Sequence, residues 1–245
     1  MRILIVGMGN VGLRLSDELF ILDPVCYDKR YEWYDKPRDG FDIAFICVDT
    51  PLVDGRLDDT EVRNAIRDNE AKTYVIKSTV MPGTTESIIE DTGKAVVFSP
   101  EYYGTTQHSP ESIDFTVLGG NRYDCVKVQQ VLQEVHDASH RFVITDPRTA
   151  ELAKLMENCW IATKVSFCNQ FLDLANANQV CYEELREIFV MDPRVNPSHS
   201  YVYRTQPYWD SHCLNKDVPA TAALGAPLIG AVVRYNEERK SRANI

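Results

Sequence analysis

The 245-residue sequence predicts an α/β fold: a doubly wound, mostly parallel sheet followed by an all-helical part built on one long central helix. Three observations lead there. A glycine turn, Gly7-Met8-Gly9-Asn10-Val11-Gly12, follows directly on the apolar run Ile3 to Val6. Short β-branched or aromatic runs then alternate with helix-period segments as far as Asp146-Pro147. Past that dipeptide the strand pattern stops, and apolar residues recur at three- and four-residue steps from Thr149 to Asn178.

The strand runs are Ile3 to Val6, Val25 to Tyr27, Ile43 to Val48, Tyr74 to Ile76, Val96 to Phe98, Phe115 to Leu118 and Phe142 to Ile144. Between them lie helical patterns at Val11 to Phe20, Asp59 to Arg67, Thr85 to Glu90 and Tyr123 to Val135, which places helices on both faces of the sheet. Only 14 residues separate Asp28 from Ile43, so the second crossover is short and its helix is expected to be absent. The segment Thr149 to Asn178 holds Leu152, Leu155, Met156, Ile161, Val165, Phe167, Phe171 and Leu174 with no Gly or Pro. It reads as one helix of about 45 Å at 1.5 Å per residue. A helix of that length invites packing against a second copy, and a homodimer through 149–178 is expected. A shorter helix, Tyr182 to Phe189, precedes an irregular stretch from Asp192 to Leu214, and the tail from Asp217 to about Arg239 reads as helical again, kinked by Gly225, Pro227 and Gly230. Two domains follow, 1–146 and 147–245.

Composition narrows the class. A net charge of −10 without a basic stripe opposes nucleic-acid binding. No apolar run approaches the roughly 20 residues of a membrane span, and the N-terminal run lacks a secretion signal, so a cytoplasmic location is expected. Seven scattered cysteines without zinc-type spacing suit reduced thiols. His136 and His140 stand four apart but lack a third ligand, so no metal is expected.

The glycine turn is a Rossmann-like dinucleotide signature because it follows a strand, opens a helix and is answered by Asp28 at the end of the second strand, 21 residues after Gly7. Gly7 permits the tight turn, Gly9 lets the backbone approach a pyrophosphate, Gly12 lets helix and strand pack closely, and the N–H groups around Asn10 and Val11 offer an anion site. Asp28 would accept hydrogen bonds from the adenosine ribose and repel a 2′-phosphate, which favours NAD. Lys29 and Arg30 beside it leave NADP open.

Six further motifs occur in one order: Cys47-Val48-Asp49-Thr50-Pro51; Val75-Ile76-Lys77-Ser78-Thr79-Val80 with Pro82-Gly83-Thr84-Thr85; Ser99-Pro100-Glu101; Thr149-Ala150-Glu151-Leu152-Ala153-Lys154 with Asn158; Asp192-Pro193-Arg194-Val195; and Cys213 with Lys216-Asp217. From Met1 to about Arg239 the chain resembles the nucleotide-sugar 6-dehydrogenases, the UDP-glucose and GDP-mannose 6-dehydrogenase family. The resemblance implies NAD-dependent, four-electron oxidation of a sugar primary alcohol to a carboxylate through a cysteine thioester. Cys213 matches the nucleophile; a thiolate traps the aldehyde as a thiohemiacetal that can be oxidised again. Lys154 and Asn158, on one helix face, match the pair that stabilises oxyanions. Asp217 matches the acid that handles protons, Glu101 a base for thioester hydrolysis, and Thr79 a residue beside the nicotinamide. Cys47, Thr50, Thr79 and Lys216 are implied at the cofactor with Lys29. Glu101, Tyr102, Tyr103, Lys154, Asn158, Arg194 and Tyr201 are implied at the sugar nucleotide, Arg194 reaching across a dimer.

The chain departs from the family pattern in three places. A third α/β domain follows the last helix in family members, whereas this sequence ends at Ile245 and reads as lacking it. The glycine-rich approach to the cysteine, G-F-G-G-x-C-F-P-K-D, is replaced by Tyr208-Trp209-Asp210-Ser211-His212-Cys213-Leu214-Asn215-Lys216-Asp217. The acid expected soon after Glu101 is absent near Gly104 and Thr105. Two readings stand: a trimmed dehydrogenase, and a non-catalytic NAD-binding dimer.

Overall fold

The computed structural model describes residues 1–32, 34, 37, 40–102 and 113–243. Its nine strands are β1 (Ile3–Val6), β2 (Val25–Tyr27), β3 (Phe41–Ile46), β4 (Leu52–Val53), β5 (Arg56–Leu57), β6 (Ala71–Ile76), β7 (Val96–Phe98), β8 (Phe115–Gly119) and β9 (Arg141–Thr145). The helices are α1 (Asn10–Glu18), α2 (Thr60–Asp68), α3 (Thr84–Thr92), α4 (Arg122–Leu132), α5 (Pro147–Ala177), α6 (Tyr182–Phe189), α7 (Leu214–Ala222) and α8 (Pro227–Ala243). Contacts divide the chain into two compact units, the first running through Lys154 and the second starting at Leu155. That division falls two turns inside α5, because Ala150 belongs to the core of the first unit.

In the first unit the sheet order is β2-β1-β3-β6-β7-β8-β9. All neighbours are parallel except β7 and β8. The chain leaves β1 for β2 on one side and then returns to β3 on the other, so the strand order reverses beside β1, where α/β sheets bind ligands. Alternation along the strands makes two cores. Leu4, Val6, Ala44, Ile46, Tyr74 and Ile76 face α2 and α3, whereas Ile3, Ile5, Ile43, Phe45 and Val75 face α1 and α4. Each fully buried Ile or Leu here contributes about 2 kcal/mol from area removed from water. The described residues between β2 and β3 form turns, with Tyr31 N–H donating to Asp28 O at 3.1 Å, and no helix.

Two elements differ from the sequence expectation. Strands β4 and β5 form a hairpin around Asp54 and Gly55, both at positive φ (49° and 77°). The Asp-Gly pair was its signal, since a two-residue turn with both φ positive favours that dipeptide. The tail is two helices rather than one kinked helix. Gly225, at φ 91°, follows the end of α7, and Pro227 opens α8, where its missing N–H forfeits no hydrogen bond.

In the second unit, Cys159, Ala162, Trp209, Leu214, Val218 and Val232 form a core among α5, α7 and α8. Cys168, Leu172, Ala175 and Tyr182 form another between α5 and α6.

Among the described glycines Gly12 leaves the least room, since a Cβ there would meet Gly7 O at 1.9 Å. Gly12→Ala is therefore expected to lower the unfolding free energy by about 1–3 kcal/mol. Urea denaturation checks this, and unchanged stability would contradict the packing.

Candidate active site

In the first unit the glycine turn is built for a close approach. Gly7 sits at φ 93° and donates its N–H to Tyr27 O at 2.8 Å. A Cβ on it would meet Cys47 O at 2.7 Å. Gly9 precedes α1 in extended conformation, and a Cβ there would meet nothing within 4 Å, so open space lies where a pyrophosphate would come. No acidic residue occupies the first turn of α1, which carries Asn10, Val11 and Gly12, leaving the positive helix end uncompensated. These features fit a dinucleotide.

Asp28 lies at the end of β2 and is buried. Its Oδ2 accepts Met8 N–H at 2.8 Å and Arg30 Nη2 at 2.6 Å, while Oδ1 accepts Arg30 N–H and Nε, each at 3.0 Å. The Arg30 guanidinium, aided by the backbone donors against the opposing effect of burial, holds the carboxyl down at about 2. Lys29 instead pairs with Glu61 at 2.5 Å.

Around the expected nicotinamide end, Thr50 Oγ1 donates to Thr79 O at 2.7 Å, which fixes the Thr79 backbone from the neighbouring strand end. Ser78 Oγ donates to Val48 O at 2.5 Å. Cys47 is buried, and burial pushes its thiol up. Glu101 forms an ion pair with Lys77, whose ammonium is nearly fully buried. Burial works against that charge, but the adjacent Glu101 outweighs it and raises the Lys77 pKa. Lys154 stands 4.9 Å above the Tyr102 ring. Tyr103, like Gly104 and Thr105, lies outside the described residues.

Three further residues of the quoted motifs carry structural roles of their own. Glu151, fully buried, accepts Gly83 N–H at 2.5 Å and Thr85 N–H at 2.8 Å, so it caps α3 just beyond the Thr79 turn. Its signal was the acid within Thr149-Ala150-Glu151. Lys77 was visible only as a charge inside an otherwise apolar strand end. The third, Trp209, belongs to the second unit.

In that unit Cys213 is exposed and precedes α7, whose N-terminus favours negative charge beside it. One turn on, Asp217 has no solvent exposure. Its Oδ2 accepts Asn158 Nδ2 at 2.6 Å and its Oδ1 accepts Lys216 Nζ at 2.7 Å. Lys216, expected at the cofactor, thus gives its ammonium to Asp217. The loop before Cys213 is held from beneath: Trp209 is buried, its indole N–H donates to Ser166 Oγ at 3.1 Å, and Asn236 spans its backbone, accepting its N–H at 2.9 Å and donating to its carbonyl at 3.0 Å. Asp210 accepts Asn215 Nδ2 at 2.7 Å and Lys240 Nζ at 3.0 Å. Trp209, at the pattern's aromatic position, and Asp210, at one of its glycines, therefore anchor the loop. Arg194 is 88% exposed and paired with Asp192 at 2.6 Å. Tyr201 lies beneath the Arg186 guanidinium at 3.7 Å.

His136 and His140 stack at 3.7 Å, and His136 Nε2 meets Glu18 Oε1 at 3.1 Å. Among the described residues no group of three His, Cys, Asp or Glu could hold a metal ion, and no helix is long and apolar enough to cross a membrane. The seven cysteines form no disulfide.

Residues 29–140 match the NAD binding domain of the UDP-glucose/GDP-mannose dehydrogenase family, and residues 148–238 match its central domain. The chain belongs to that family, and its cofactor is NAD. It is 29% identical over 230 residues to GDP-mannose 6-dehydrogenase of Azotobacter vinelandii, covering 82% of this chain and 52% of that protein. To a putative UDP-glucose 6-dehydrogenase of Bacillus subtilis it is 28% identical, covering 80% and 57%. The chain spans about half the length of these curated relatives. The fold is shared with a UDP-glucose dehydrogenase from Pyrobaculum islandicum, at TM-score 0.79 and 23% identity over 97% of this chain and 68% of that one.

Because the Asp28 pKa is lowered from 3.8 to about 2, its carboxylate stabilises the fold above pH 4 and that contribution is lost as the pH falls through about 2. Asp28→Asn is expected to flatten the loss of stability across this window. Parallel pH-denaturation curves for the two proteins would contradict it.

Proposed function

We propose that this chain forms the dinucleotide-binding and central parts of a dehydrogenase that oxidises the primary alcohol of a nucleotide sugar to a carboxylate through a thioester on Cys213. The observation that carries the reading is the arrangement at the start of α7, where an exposed thiol precedes the helix and a fully buried carboxylate one turn on is bonded to Asn158 and Lys216. Such a costly buried charge is retained at a site that uses it.

When bound, NAD supplies the hydride acceptor for each of two oxidations. Asp217 takes up the alcohol proton through water. The Cys213 thiolate adds to the aldehyde carbon, and the oxygen that becomes negative is met by the Asn158 amide and the Lys154 ammonium. The thiohemiacetal so formed, oxidised once more, becomes a thioester. Glu101 activates the water that cleaves it, returning the thiol and releasing the carboxylate. Thr79, fixed by Thr50, lines the nicotinamide end.

A second reading, a dinucleotide-binding module without chemistry, is favoured by the bulky 208–212 loop. Both readings share a homodimer through α5, supported by exposure of Leu152, Met156, Trp160, Phe167, Phe171 and Leu174 along that helix. Sedimentation at micromolar concentration is expected to show a dimer, and Trp160→Asp to shift it toward monomer. A monomer from the unaltered chain would contradict this.

Incubation of the chain with NAD and a panel of UDP- and GDP-sugars is expected to give two NADH per sugar oxidised, and Cys213→Ser to stop after the first. NAD binding without NADH from any sugar supports the module. One NADH per sugar from the unaltered chain indicates a simple alcohol dehydrogenase.

A further inference from the structure

We propose that Arg30 makes this dinucleotide site accept the 2′-phosphorylated cofactor, NADP, as well as NAD. This deepens the cofactor reading and rests on the Gly7 to Gly12 turn being the place where a dinucleotide docks.

An acid at the end of the second strand selects against a 2′-phosphate in two ways: it offers acceptors to the ribose hydroxyls and repels the phosphate charge. In this chain both are blunted. A carboxylate has about four lone-pair positions. Those of Asp28 are met by four donors: the Met8 N–H, the Arg30 N–H, and Arg30 Nε and Nη2. The hydroxyls of a ribose would have to compete with every one of them. The negative charge is matched by a guanidinium 2.6 Å away in a two-pronged contact.

The cation, by contrast, faces outward. The Arg30 side chain is 57% exposed while Asp28 is 3% exposed. A guanidinium has five N–H donors, and Nε and one Nη2 proton go to Asp28, so the remaining donors of this exposed side chain would be available to a ribose phosphate of a dinucleotide docked on the glycine turn. That planar edge suits a phosphate. Of the neighbouring acids, Glu61 is held by Lys29 at 2.5 Å. Asp49 is the further carboxylate whose field reaches Arg30. It accepts the Thr50 N–H at 2.9 Å.

The test is direct binding of NAD+ and NADP+ to the purified chain by calorimetry, with Arg30→Ala and Arg30→Gln beside it, each checked for folding by circular dichroism. The unaltered chain is expected to bind NADP+ with a Kd within about tenfold of that for NAD+, and both variants to widen the ratio by about tenfold, the scale of one charge-assisted phosphate contact. Rejection of NADP+ by more than about a hundredfold while NAD+ binds would overturn the proposal and leave the NAD site standing. So would an unchanged ratio in both variants. Binding of neither cofactor would overturn the proposal together with the docking site on which it rests.

Discussion

Asp217 is the point on which the helical unit turns. A carboxylate with no solvent exposure costs several kcal/mol unless charge and hydrogen bonds surround it, and removing one partner leaves that cost uncompensated. Its partners come from two elements: Asn158 from the middle of α5 and Lys216 from the first turn of α7. The triad therefore sets the axial position of α7 on α5, and with it the place of Cys213 at the helix start. Trp209 and Asn236 fix the incoming chain from the other side. The thiol is held between a packed anchor and a buried charge.

The sheet unit solves a related problem with glycine. Backbone must come within van der Waals reach of backbone at Gly7 and Gly12, and a methyl group at either would strike a carbonyl oxygen. The same turn leaves Gly9 open and holds the Asp28 carboxylate through the Met8 N–H. Charge placement then differs from a bare acidic site, because Arg30 covers the carboxylate.

The alternating pattern that produces the parallel sheet was legible because strand runs of period two and helices of period 3.6 follow directly from which face is buried. The glycine turn and Asp28 were legible because each residue type there answers a steric or electrostatic demand. Less visible was anything set by distant pairing. Nothing local tells that Glu151 caps a helix more than 60 residues earlier, or that Lys77 is buried against Glu101. Lys216 read as a cofactor contact, and its ammonium also pairs with the adjacent Asp217, which the sequence alone does not tell. Trp209 stands where the family pattern has phenylalanine, and its indole fills a core among α5, α7 and α8. The Asp54-Gly55 hairpin carried a local signal that short strands easily hide.

In the proposed reaction the sulfur of Cys213 becomes covalently bonded to the oxidised sugar carbon. Rapid acid quench during turnover with NAD and a nucleotide sugar, followed by mass spectrometry of the peptide that contains Cys213, tests it most directly. A hydroxylamine-labile acyl mass is expected on Cys213, accumulating when Glu101 is changed to Gln. NADH formation with no adduct on this cysteine in either protein would contradict it.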